Sequence, residues 1–268
     1  MKRYWLLGGV AAVLVAAAGV QYAMTRGNEA PTGGVSLATS TPSIPDSGIS
    51  DPSGAGYTVT PLPLPAEPSL KVPDVAGIAA TIVPKNDYEK LVYKTLTDAI
   101  VALKKDTDNY DAWLTVATSF KQLERYESAR DVWGYTAIVW PQEAVSHGNL
   151  GSLYHLYLKD FPKSETAYRR AIELDSHSAT WYRGLYELYR YSYKQNTPLW
   201  EETLRAGITA TGDLGLISVL ANRYVEVERF ADAVSAYDVA IAEAERQGNQ
   251  KLIDAFIGER ASARARLP

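Results

Sequence analysis

The chain contains no cysteine. That excludes disulfides, thiolate catalysis, thiolate-held metals and a lipidated cysteine anchor. Concentrated basic charge is missing too: 27 Lys and Arg stand against 31 Asp and Glu, the formal net charge is −4, and no basic run occurs. A nucleic-acid surface needs clustered cations to release counterions from phosphate, so nucleic acid is not expected as a partner. Histidine is scarce, and His147 and His155 are separated by about two helical turns, too far to share a metal without ligands between them. No glycine-rich phosphate loop, HExxH pair or serine elbow is present. Glu201 with Glu202, and Glu226 with Glu228, read as solvated helix residues. With no reacting group in context, the chain reads as a non-enzyme that uses no cofactor and no metal.

Proline is nearly absent from the last two thirds. Ten of the 14 prolines lie between Pro31 and Pro84, and the part after Asn86 is helix-forming and rich in tyrosine. Hydrophobic residues make up 46% and aromatics 10% of the chain, enough for a proper core. The composition divides the chain into residues 1–24, 25–85 and 86–268.

Lys2 and Arg3 precede Tyr4 to Met24, a run without a charged residue, and about 20 apolar residues cross a bilayer core as a helix. The expectation is an uncleaved single-pass signal anchor; a cleaved signal peptide with a small-residue site near Ala16 to Ala18 is the alternative. Basic residues stay cytoplasmic, so the N-terminus faces the cytoplasm and the body is extracytoplasmic. Gly8, Ala12 and Ala16 offer a weak route to a homodimer within the membrane. Residues 25–85, rich in Pro, Ser, Thr and Gly with the run Pro61 to Pro65, bury too little apolar surface to offset ordering entropy and are expected to be a disordered tether. Its mean reach is roughly 40 Å. Within it, Val75, Ile78, Ile82 and Val83 form a nearly uncharged run, which either floats or docks on the helices that follow.

From Tyr110 the side chains repeat. Counting Tyr110 as first, Trp113 is fourth, Val116 seventh, Ala117 eighth, Phe120 eleventh, Ala129 twentieth, Trp133 twenty-fourth and Pro141 thirty-second. These spacings draw one apolar stripe on each of two helices joined near Glu124 to Tyr126. Small Ala117 and Ala129 let the helices approach, and Pro141 stops the second. The same register runs from Ala144 through Leu150, Gly151 and Tyr154, then, after one extra residue, Phe161, Ser164, Tyr168 and Ala171. It runs again from Leu214 through Ile217, Leu220, Ala221, Tyr224, Phe230, Ala233, Tyr237 and Ala240. A fourth unit from Ala179 carries Tyr182, Leu185 and Tyr189, but bulky Tyr186 fills the eighth place, so wider packing is expected there. Its second helix is expected to start with Thr197 as cap, Pro198 at the first position and Glu201 and Glu202 in the first turn. Asp87 to Asp106, with Leu91, Leu96, Ile100 and Leu103, suits a leading cap helix. Leu252, Ile253, Phe256 and Ile257 suit a trailing one, with Arg260, Arg264 and Arg266 solvating the tail.

This 34-residue pattern resembles the tetratricopeptide repeat. The resemblance implies an all-α, right-handed α-solenoid of about four helical hairpins between N- and C-terminal capping helices, preceded here by the membrane helix and linker. It also implies a concave surface, lined by the first helix of each repeat, that binds protein or peptide through the second, fifth, ninth, twelfth and thirteenth places. On this sequence those places include Leu114, Thr118, Lys121 and Gln122; Ser152, His155 and Leu156; Arg183, Glu187, Arg190 and Tyr191; and Ser218, Asn222, Val225 and Glu226. Partner-binding residues are therefore expected at Lys121, Gln122, His155, Arg183, Glu187, Arg190, Tyr191 and Asn222. Arg183, Glu187 and Arg190 share one helical face, either offering a guanidinium to a partner carboxylate beside Tyr191 or pairing within their own helix. The family's clamp for a terminal carboxylate is not reproduced, since of its places only Asn149 matches. The functional expectation is a membrane-tethered, exported scaffold for a protein or extended peptide. The alternative is an envelope glycan-binding module that uses Tyr191 and Tyr193, whose rings the repeat register does not place in the core.

Overall fold

The computed structural model describes residues 71–267, and the described residues form eleven α-helices with no strand. The expected membrane anchor at 4–24, the expected Gly8, Ala12 and Ala16 pairing face and the expected tether up to residue 70 lie outside the described residues. Among the described residues, no helix is long and apolar enough to cross a membrane. The helices are α1 (Val75–Ala80), α2 (Asp87–Lys105), α3 (Tyr110–Gln122), α4 (Tyr126–Val139), α5 (Ala144–Leu153), α6 (Phe161–Leu174), α7 (Ala179–Tyr191), α8 (Leu199–Thr211), α9 (Leu214–Glu226), α10 (Phe230–Arg246) and α11 (Gln250–Arg264). Each packs on the helix before and the helix after it in sequence. Four hairpins, α3–α4, α5–α6, α7–α8 and α9–α10, thus stack in chain order between α2 and α11. Their first helices begin at Tyr110, Ala144, Ala179 and Leu214, 34, 35 and 35 residues apart.

The stripes lie where the register puts them. Trp113, Val116, Ala117, Phe120, Ala129 and Trp133 are all buried, and α4 ends at Val139, ahead of Pro141. A two-helix hairpin has more apolar face than it can cover itself, so each unit completes its core with the next. Side-chain caps start α2, α3, α6, α9 and α11: Asn86, Asn109, Asp160, Asp213 and Asn249 each accept a backbone N–H of the first turn. The turn inside every hairpin contains one non-glycine residue in the left-handed region, Glu124, Lys159, Lys194 or Glu228. That is the fifteenth place of the first and fourth hairpins and the sixteenth of the two that carry an extra residue.

The extra residue of the second hairpin is absorbed by one π-helical turn, Tyr154–Leu158, that continues α5. Two expectations change. Leu91 is 65% exposed, and the buried face of α2 is Val92, Leu96, Ala99, Ile100 and Leu103, because only that face meets α3. Thr197 does not cap α8: its hydroxyl donates to the Lys194 carbonyl at 2.6 Å, and the helix begins at Leu199 with Pro198 in the cap position and no side-chain cap. In the third hairpin Tyr186 is buried at the eighth place, and buried Gly207 of α8 leaves room for Tyr182: a Cβ there would lie 2.7 Å from its Cγ. The run after residue 74 docks. Val75, Ala79 and Ile82 are buried in a core cluster shared with α2 to α6, and Asp74 caps α1 by accepting the Gly77 N–H. At the other end Phe256 is buried while Ile257 is 43% exposed; Arg260 pairs with Asp238, and Arg266 lies 4.3 Å from the Phe230 ring centroid.

Two neighbouring junctions share a fastening. The eleventh-place Tyr189 donates to Glu165 of the preceding hairpin at 2.6 Å, receives a hydrogen bond from Arg169, and Lys194 closes on the same carboxylate at 2.7 Å. One hairpin on, Tyr224 donates to Glu201, receives one from Arg205, and Arg229 closes the cluster. Glu201 is therefore not a solvated helix residue; its side chain is 18% exposed. Burial alone would raise its carboxyl, but hydrogen bonds from Arg229, Tyr224 and Arg205 hold it at about 2. The stabilisation is complete above the ordinary value of 4.5 and is lost as pH falls through 4.5 toward 2.

Two kinds of substitution test this packing. Gly151→Ala and Gly184→Ala each push a Cβ to within 2.7 Å of the buried Tyr168 ring, and each should cost about 1–3 kcal/mol in urea unfolding. Tyr224→Phe, which strips Glu201 and Arg205 of the phenol, should cost about 1–2 kcal/mol, and less at low pH, where Glu201 is protonated.

Candidate functional site

The first helices α3, α5, α7 and α9 carry the residues that the repeat register assigns to a partner. Their local structure decides which of those side chains are free. Lys121 and Gln122 end α3, half-buried, and the Lys121 Nζ sits 5.8 Å from the Trp133 ring centroid, with burial lowering its pKa. Nothing brings this pair together with the other predicted residues.

His155 is buried, not at the surface. The π turn rotates it inward, where its Nε2 meets Ser192 Oγ at 3.0 Å and its ring stands edge-on to Phe161. It joins the second hairpin to the third. Burial lowers its pKa below 6.5, with Lys159 acting in the same direction. Asn222 remains exposed, yet its Oδ1 accepts the Tyr237 hydroxyl of its own hairpin at 2.8 Å.

The third hairpin holds the connected set. Arg183 reaches Asp213, the cap of α9, at 3.8 Å, and Arg190 reaches Glu226, the last residue of α9, at 3.4 Å. Both contacts run to the next hairpin instead of along α7, so the intrahelical network is not formed. Between them Glu187 is half-buried and takes part in no ion pair among the described residues; burial raises its carboxyl, with Arg183 acting against the rise. Tyr191 is 62% exposed, and the Arg190 guanidinium lies 5.3 Å from its ring centroid. Tyr193 is half-buried, 6.2 Å from Phe161 with Lys194 over its face. Of the two rings, Tyr191 is the one that projects into solvent.

One functional candidate was missed in the sequence. Arg223, at the tenth place of the fourth hairpin, donates to Glu226 at 2.9 Å, and its guanidinium lies over Trp200 at 5.4 Å. The tenth place is not assigned to a partner surface; the i, i+3 pairing of Arg223 with Glu226 was the signal available.

Compared with protein-family models and with curated proteins, the chain matches none. Among solved structures it is similar to MamA protein, with 18% identity over 66% of this chain and 95% of that one at a TM-score of 0.48. It is also similar to TTC0263, a thermophilic TPR protein of Thermus thermophilus, with 16% identity over 61% and 88% and a TM-score of 0.45. A third is YrrB, a TPR protein with an unusual peptide-binding site, with 9% identity over 62% and 91% and a TM-score of 0.43. All three scores lie below 0.5, and the repeat rests on this chain's own helices.

The histidines give a pH test. His147 is also lowered by burial, with Arg170 adding to the effect and Glu173 opposing it. A base whose folded pKa lies below its unfolded one takes up protons more readily when unfolded. The stability held by His147 and His155 is thus complete above about 6.5 and lost as pH falls below it. Between about pH 7.5 and pH 5.5, urea unfolding of the wild type should show a loss that His147→Gln/His155→Gln largely removes. Glu187, with its raised pKa, acts in the opposite direction and cancels in this comparison.

Proposed function

We propose that the chain is a membrane-tethered, exported scaffold that holds a protein or extended peptide against the first-helix face of its hairpins. The observation that carries this reading is the composition of that face on α7 and α9. It carries Arg183, Glu187, Arg190, Tyr191, Asn222 and Glu226, with a half-buried carboxylate lacking an ion-pair partner among the described residues and an aromatic ring mostly in solvent. A buried or half-buried charge without a partner costs free energy in the unbound protein, and an exposed tyrosine beside it supplies apolar area at little entropic cost. Both are relieved or used by an incoming chain. The tether is read from the uncharged run Tyr4 to Met24 behind Lys2 and Arg3.

Site-specific crosslinking tests the surface. A photoreactive side chain at position 191 or 222 of the full chain should capture a discrete partner, whereas one at exposed Ile138 or Val239, on the second helices α4 and α10, should not. Capture only from the second-helix positions would overturn the assignment of the face. For the tether, the protein should resist alkaline extraction from membranes, and protease added to intact cells should digest residues 86–268. A body that is cut only after lysis would refute the address.

A further inference from the structure

At the ends of α7 and α9, two guanidiniums share one oxygen atom. Arg223 Nη1 donates to Glu226 Oε2 at 2.9 Å, and Arg190 Nη2 contacts the same Oε2 at 3.4 Å. Each guanidinium has five N–H donors in a fixed fork. The described hydrogen bonds use one donor on each, and the Nε of both arginines is buried with no hydrogen-bond partner among the described residues. The cluster therefore has two positive charges against one negative. It is also held in place: Arg190 is stacked at 5.3 Å on Tyr191 and Arg223 at 5.4 Å on Trp200, while the buried Tyr186 phenol has Tyr191, Glu226, Arg190 and Arg223 as its electrostatic neighbours. Access is open, with the Glu226 side chain 57% exposed, that of Arg190 30% exposed and Tyr191 projecting beside them.

We propose that Arg190 and Arg223 form a carboxylate-binding site, with Tyr191 as the apolar contact for the residue next to that carboxylate on a bound peptide. This inference rests on the peptide-scaffold reading above and names the chemistry of the partner. A single excess positive charge matches a single negative one. A phosphate dianion beside Glu226 would leave the cluster net negative, so a carboxylate is the fitting anion. The Nε atoms are shut off from solvent, so an incoming carboxylate meets the Nη end of each planar guanidinium, a geometry suited to bidentate contact. Glu226 then acts as the internal competitor that an incoming carboxylate joins or displaces. Both arginines also stand in the last turns of their helices, where a cation offsets the helix dipole; that role alone gives no preference for an acidic ligand.

The test uses fluorescence anisotropy on the full chain with three labelled peptides of one length and otherwise one sequence. The first has a central Glu and an amidated end, the second a central Gln and an amidated end, and the third a central Gln and a free terminal carboxylate. The Glu peptide should bind on the order of tenfold more tightly than its Gln counterpart. Arg190→Gln should abolish that preference, and Glu226→Gln should increase it by removing the competitor. A gain shown only by the third peptide assigns the carboxylate to a chain end; a gain shown by the first assigns it to an acidic side chain, and both uphold the site. If Arg223→Gln, which replaces the more buried arginine, unfolds the chain by circular dichroism, Arg190→Gln and Glu226→Gln decide alone. Equal affinity or equal lack of binding for all three peptides overturns the site, as does a preference that survives Arg190→Gln. Crosslinking from position 191 can succeed while the acid preference is absent; the scaffold then stands and the carboxylate site falls.

Discussion

Helix backbones here come together by leaving room for aromatic rings, and the rest of the structure depends on that close approach. Tyr168 of α6 occupies space left by two absent side chains, Gly151 on α5 and Gly184 on α7, and Gly148 makes the same room for Trp181. At these crossings a Cβ in place of the glycine hydrogen would come within 3 Å of the ring, whereas the first and fourth hairpins use buried alanines, Ala117 with Ala129 and Ala221 with Ala233, at their small places. Small and large residues are therefore complementary across the junctions. Where the third hairpin places bulky Tyr186 at the usual small position, Gly207 on α8 leaves the room for Tyr182.

Apolar contact does not by itself set the angle at which one hairpin meets the next, and polar contacts between hairpins add direction. Phenol, carboxylate and cation form the same arrangement at Tyr189 with Glu165 and at Tyr224 with Glu201. His155 with Ser192 adds another link between the second and third units. At the first junction a chain of hydroxyls does this, with Ser146 meeting both Tyr110 and Thr136. The ionic contacts of Arg183 and Arg190 likewise cross from the third hairpin to the fourth. The face proposed to receive a partner thus draws on the same junctions that set the stacking.

Much of this was legible in the sequence, for a physical reason. Trp113, Phe120, Trp133, Tyr189, Tyr224 and Tyr237 recur at fixed places because one packing solution is used repeatedly, and a repeated solution leaves a period in the chain. What was not legible depends on which of two plausible faces meets a neighbour. Both Leu91 and Val92 lie on helically periodic stripes of α2, and only contact with α3 selects Val92. Thr197 has the side chain of a cap, but its hydroxyl is taken by the Lys194 carbonyl instead of the first turn of α8. Among the candidate site residues, Arg183, Glu187, Arg190 and Tyr191 form a connected set, whereas Arg223 escaped notice because its place in the repeat is not one that faces a ligand in the resembling family.

The single π turn has a consequence of its own. An added residue in an α-helix rotates everything beyond it by about 100°, enough to carry a buried stripe into water. Here the surplus is confined to Tyr154–Leu158, so α6 and the later hairpins keep their phase. The turn serves as an expansion joint. Chains of this architecture can gain length at the end of a first helix without being rebuilt downstream, and here the joint turns His155 inward while Leu156 and Tyr157 stay exposed.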